Sequence, residues 1–129
     1  MLVMPTPAEA VAEYFAAIRA MNPDRWVAAF APDAVSHDPV GAPPHIGRAA
    51  LHAFISGIGS MAESINLTEE GVFINGNSAA VKWRGAGVGK NGKHFAFEGI
   101  DVIDCNDAGQ IVLVKAYWDA NPVMAALQS

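Results

Sequence analysis

The sequence predicts an α+β protein in which three N-terminal helices wrap a curved antiparallel sheet into a cone with an apolar cavity. Two observations carry this reading. Apolar residues at helical spacing dominate the first half, and strand-like runs separated by Asn- and Gly-containing turns dominate the second. Helices come first and a curled sheet follows, which is the order of an α+β protein.

The first helix opens on Thr6-Pro7-Ala8-Glu9, a capping box with Thr6 as N-cap, Pro7 at the first helical position and Glu9 reaching back. Val11, Tyr14, Phe15 and Ile18 then form one face. Asn22-Pro23 stops this helix and starts the next, which carries Trp26, Val27 and Phe30 and is expected to end at Pro32. Ala34 to His37 reads as a short strand. The segment from Asp38 to Pro44 holds three prolines and a glycine and is a loop. A third helix is expected over about Arg48 to Ile58, with Leu51, Phe54, Ile55 and Ile58 along one side. Strands near 65–74, 78–88, 93–105 and 110–118 are separated by Asn75-Gly76-Asn77, Asn91-Gly92 and Asn106-Asp107-Ala108-Gly109. Asn-Gly tolerates the positive φ of tight hairpins, so these runs are expected to form a four-stranded meander. Val123 to Leu127 adds a helical turn.

At 129 residues the chain is expected to form a single domain, 1–129, able to bury roughly two-thirds of its unfolded surface. An apolar share of 52% is enough to fill a core, line a ligand cavity or cover a subunit interface. The net charge is −5 and the eight Lys and Arg residues are scattered, which argues against a nucleic-acid partner. No apolar run approaches the ~18 residues of a membrane span. The start, Met1-Leu2-Val3-Met4-Pro5, does not read as a secretory signal, so a cytoplasmic location is expected. Cys105 has no partner for an internal disulfide and reads as a small apolar filler. His37, His45, His52 and His94 form no metal-ligand pattern, and no metal or cofactor is expected.

Asp101 is the most informative residue. In the run Phe95 to Ile103 it shares a strand face with Phe95, Phe97 and Ile103, while Glu98 and Asp104 fall on the other. An ionised carboxylate on an apolar face must be paired, hydrogen-bonded or protonated. A protonated one is a hydrogen-bond donor. Asp101 could equally be a paired carboxylate tying the sheet to a helix. Asp38 before Pro39 fits ordinary turn chemistry as well as a base on a stiff loop. Tyr14, on the apolar face of the first helix, fits a core residue as well as a donor. Core packing suffices for Trp83, Ala116 and Trp118.

Taken together, Tyr14, the segment Asp38-Pro39-Val40-Gly41 and Asp101 resemble the ketosteroid isomerases of the nuclear-transport-factor-2-like, SnoaL-like superfamily. The resemblance runs from Glu13-Tyr14-Phe15-Ala16-Ala17 through Phe30-Ala31-Pro32-Asp33-Ala34 and Gly47 to Gly99-Ile100-Asp101 and the hairpin Asp107 to Ile111. It implies an isomerase that moves a double bond in a hydrophobic unsaturated ketone, such as a steroid, by intramolecular proton transfer. It further implies Asp38 as the base, and Tyr14 and neutral Asp101 as donors to the dienolate oxygen. Phe54, Trp83, Phe97, Ala116 and Trp118 would line the pocket, and the chain would form a homodimer.

The physical requirements agree: enolisation needs a base near the α-carbon and uncharged donors aimed at the growing oxyanion. The sequence departs from some relatives in lacking a hydroxyl at Phe30 and beside Phe54, where Ile55 follows. Asp119, after Trp118, leaves open a polyketide-cyclase reading in which a late-strand aspartate is the acid–base residue. A non-catalytic binder of apolar ligands is the third reading, because one fold serves many functions.

Overall fold

The computed structural model describes residues 4–129; Met1–Val3, within the segment expected to lack a secretory signal, lie outside it. Helix α1 (Pro7–Arg19) begins with the expected capping box, Thr6 Oγ1 accepting from the Glu9 backbone N–H and Glu9 accepting from that of Thr6. Its apolar face buries Val11, Tyr14, Phe15 and Ile18. Helix α2 (Pro23–Ala28) is capped by Asn22, whose side chain accepts from the Arg25 N–H. Helix α3 (Gly47–Met61) runs three residues past the expected end at Ile58.

The second helix is shorter than expected. Phe30 and Pro32 belong to strand β1 (Phe30–His37), not to a helix. The Ile111 N–H donates to the Ala29 carbonyl, and Phe30 pairs with Ile111, so sheet formation overrides the helical spacing of Trp26, Val27 and Phe30. Pro32 falls between Phe30 and Val35, where the register shifts and no ladder N–H is required. Arg48 secures this junction, donating twice to the Phe30 carbonyl at 3.1 and 2.6 Å.

Strands β3 (Ala62–Asn75), β4 (Ser78–Gly89), β5 (His94–Cys105) and β6 (Ile111–Tyr117) form the expected antiparallel meander. It is extended to six strands in the order β2-β1-β6-β5-β4-β3, where β2 is His45–Ile46. Strand β1 runs parallel to β6 and carries the chain from the helices into the sheet. Helix α4 (Ala120–Gln128) is a full helix where one turn was expected.

The inner face of β4 carries Trp83, Gly85, Gly87 and Gly89 in alternation. The glycines are steric necessities. A Cβ at Gly85 would stand 2.5 Å from Leu67 Cδ2, and one at Gly87 would stand 2.3 Å from the Ser64 carbonyl oxygen. Their absence lets Phe95 and Phe97 fold over β4 while β3, bulged near Ala62 and Glu69, curls toward α1. Arg19 at the end of α1 fixes that curl, donating to the Leu67 carbonyl at 2.7 Å and to Glu69 at 2.6 Å. The result is a curved, unclosed sheet whose concave side faces α1, α2 and α3.

Candidate functional site

The concave side holds a largely apolar cavity of about 70 Å³ whose described lining has three titratable side chains, Tyr14, Asp38 and Asp101. Each comes from a different element. Tyr14 projects from α1 and is 1% exposed, packed edge-on to Phe15 at 5.1 Å and tilted against Trp26 at 5.6 Å. Burial raises its phenol well above the usual value, and the Asp101 and Asp38 carboxylates push it further. It is therefore a neutral O–H at any physiological pH.

Asp38 follows the last residue of β1. The Val40 N–H donates to the Ala116 carbonyl at 2.8 Å, which ties the loop to β6, and the Asp38–Pro39 peptide is cis. The residue is half-buried, but its carboxyl turns inward, where Trp118 Nε1 donates to Oδ1 at 2.6 Å. Burial pushes its pKa up to about 6 against the opposing effect of the indole hydrogen bond. It stays mostly ionised at pH 7.

Asp101 is 3% exposed on the inner face of β5, as strand alternation requires. Trp83 Nε1 donates to its Oδ1 at 2.8 Å. Burial is the main cause that raises its pKa to about 8; the Asp38 carboxylate adds to this and the Trp83 hydrogen bond opposes it. Among the described residues no ion pair includes Asp101. Arg84 lies on the outer face with Glu70 and Glu98, at 3.3 and 3.5 Å. The two aspartates thus share one cavity in opposite protonation states at neutral pH, the condition for a base and a donor to work side by side.

Phe54, Trp83, Phe97 and Trp118 line the cavity. Ala116 does not; it pairs with Asp101 across β5 and β6 and is buried in the core. Sequence reasoning missed the contribution of α4, which closes one side with Val123, Met124 and Leu127. Their apolar spacing was visible, but where a terminal helix docks is set by the tertiary surface it meets. The two indole hydrogen bonds were also missed, because an aromatic residue on a strand face reveals its packing side and not where its N–H points. Asp119 is exposed, lies outside the cavity lining, and accepts from the Asn121 N–H as the N-cap of α4.

Elsewhere a more open groove of about 590 Å³, between α1, α2 and the β5–β6 turn, holds the surface ion pair Glu13–Arg25 and no buried titratable group. Among the described residues no three His, Cys, Asp or Glu side chains stand together as a metal site. No described helix is long and apolar enough to cross a membrane.

Comparisons with known proteins agree with this fold. Residues 11–114 match the family model of the SnoaL-like domain. The chain is 33% identical over 109 residues to a protein named Steroid Delta-isomerase from Nocardioides simplex, spanning 84% of this chain and 86% of the relative. Its fold superposes with a TM-score of 0.81 on the epoxide hydrolase/cyclase-like enzyme SalBIII of pyran ring formation in the polyether salinomycin. That pair is 25% identical, with 90% of this chain and 92% of the other covered.

Proposed function

From the premise that this chain belongs to the SnoaL-like family, we propose that residues 1–129 form one catalytic domain that isomerises a hydrophobic β,γ-unsaturated ketone to its conjugated isomer. The observation that carries this reading is the pair of inward aspartates held at about 6 and about 8 in an otherwise apolar cavity with a buried phenol. Asp38, ionised, takes a proton from the carbon between the carbonyl and the double bond. The electrons shift to the ketone oxygen, which becomes a dienolate. Tyr14 and neutral Asp101 donate hydrogen bonds to that oxygen. Asp38 then returns the proton to the γ-carbon, so the substrate gains and loses nothing. Likeness to a steroid isomerase supports a fused-ring ketone as the substrate.

Such a guest needs more room than the cavity of about 70 Å³, since sites for drug-sized ligands span roughly 300–1,000 Å³. Helix α4 is the element suited to move aside, because it covers the cavity with Val123, Met124 and Leu127 from outside the sheet and the three N-terminal helices. Purified protein given a β,γ-unsaturated ketosteroid should raise the conjugated-enone absorbance. Asp38→Asn should slow turnover by about 10²–10⁴-fold, the usual share of a general base. No turnover by the wild type, or full turnover by Asp38→Asn, would overturn the proposal.

A second reading, a polyketide cyclase, is favoured by the likeness to the cyclase-like enzyme. Neutral Asp101 would protonate an epoxide oxygen while Asp38 deprotonates the attacking hydroxyl. Ring closure of a hydroxy-epoxide, without enone formation from the ketosteroid, would select it.

A further inference from the structure

One oxygen of Asp101 is already committed before any ligand binds. Trp83 Nε1 donates to Oδ1 at 2.8 Å, and the two residues are only 2% and 3% exposed. The register of β4 and β5 builds this contact. Trp83 pairs with Gly99 and Val81 with Asp101, so the indole lies one diagonal step from the carboxyl on the inner sheet face. Glycine at 99 is required for it. A Cβ there would stand 2.7 Å from Trp83 Cζ2 and 2.5 Å from the Tyr117 carbonyl oxygen. Phe97 meets the indole edge-on at 5.0 Å and 78°, which restricts its rotation.

An indole N–H donates and never accepts, and a carbonyl oxygen accepts better than a carboxyl hydroxyl does. We infer, resting on the dienolate-binding role proposed above, that Trp83 is a positioning residue: it holds Oδ1 of neutral Asp101 as the carbonyl oxygen and leaves the Oδ2 hydroxyl to serve the ligand oxygen. Without it the acid has two equivalent ways to carry its proton, and one of them points the hydroxyl away from the ligand. The same hydrogen bond favours the carboxylate form and so opposes burial. Orientation is gained at some loss of neutrality.

The test uses the full chain and 2-naphthol, a phenol whose oxygen accepts hydrogen bonds, as the probe. With 15N-tryptophan labelling, the Trp83 indole resonance, assigned by its contact to Asp101 because Trp118 also meets Phe97, should titrate together with Asp101. Trp83→Phe should weaken naphthol binding about tenfold, the value of one well-aimed hydrogen bond, and should raise the Asp101 titration midpoint. In the Asp101→Asn background, where the amide Nδ2 replaces the hydroxyl at every pH, Trp83→Phe should bring the same tenfold loss. A purely structural tryptophan would change stability and leave naphthol affinity in the Asp101→Asn background in place.

An indole resonance that stays flat while Asp101 titrates overturns the inference, and that arm needs no variant to fold. Unchanged affinity and midpoint in Trp83→Phe overturn it as well. None of these readouts uses turnover. A protein that passes them yet isomerises nothing keeps the role of Trp83 and loses the proposed reaction, and one that isomerises but fails them does the reverse.

Discussion

At 3% exposure and with no cation among the described residues beside it, Asp101 is easier to protonate than to ionise at neutral pH, and the Asp38 carboxylate across the cavity widens the gap. This has a consequence for folding. In the unfolded chain an aspartate titrates near ~3.9, and here it titrates near 8. Between those values the native state binds more protons than the unfolded state, so stability falls as pH rises through the window and is level above it. Asp101→Asn removes that dependence while keeping a group that accepts from Trp83. The substitution should therefore raise the melting temperature more at about pH 8 than at about pH 5, by a difference of up to roughly 4 kcal/mol in stability. Equal effects at both pH values would mean that Asp101 titrates normally. The inward placement of Asp101 was legible in the sequence, because strand alternation with Phe95, Phe97 and Ile103 fixes the face. Its hydrogen bond to Trp83 was not, since that depends on a rotamer and on the space left by Gly99.

Helix α4 is held at both ends by single polar side chains. Asp119 caps its start, and Asn91, in the β4–β5 turn, donates to the carbonyls of Ala126 at 2.8 Å and Ser129 at 3.1 Å at its end. Unsatisfied carbonyls at a helix terminus need such a partner. Asn91→Ala should lower amide-exchange protection about two- to tenfold in residues 123–128, matching roughly 0.5–1.5 kcal/mol per hydrogen bond, and leave β5 and β6 unaffected. Protection lost throughout the chain, or nowhere, would remove Asn91 as the latch. At this scale the sequence spoke clearly where a signal was local, as at the Thr6–Glu9 capping box and the Asn91-Gly92 turn. It misled at Phe30 and Pro32, where i, i+4 spacing and a proline look like a helix end. There the pairing of Phe30 with Ile111, a contact far along the chain, decides the conformation.

The cone as a whole follows from a sheet that curls because β4 is glycine-rich inside, and from three helices whose apolar faces close it. The α+β order was readable from the two periodicities; the parallel placement of β1 beside β6 was not, because no local pattern encodes which strands become neighbours. The outer sheet face carries Ile100 and Tyr117 side by side across β5 and β6, at 46% and 50% exposure. We propose that this face pairs two copies in a homodimer; sedimentation at micromolar concentration should give twice the chain mass, and a monomer would contradict it. The opposition of the two aspartates is the property on which the proposed chemistry depends, and it can be read without any substrate. Carboxyl 13C resonances of the aspartates, followed by NMR as a function of pH in wild type, Asp38→Asn and Asp101→Asn, test it directly. Two inward groups titrating near 6 and near 8, each lost in its own variant, are the predicted result. Asp101 ionised well below pH 7 would contradict the account.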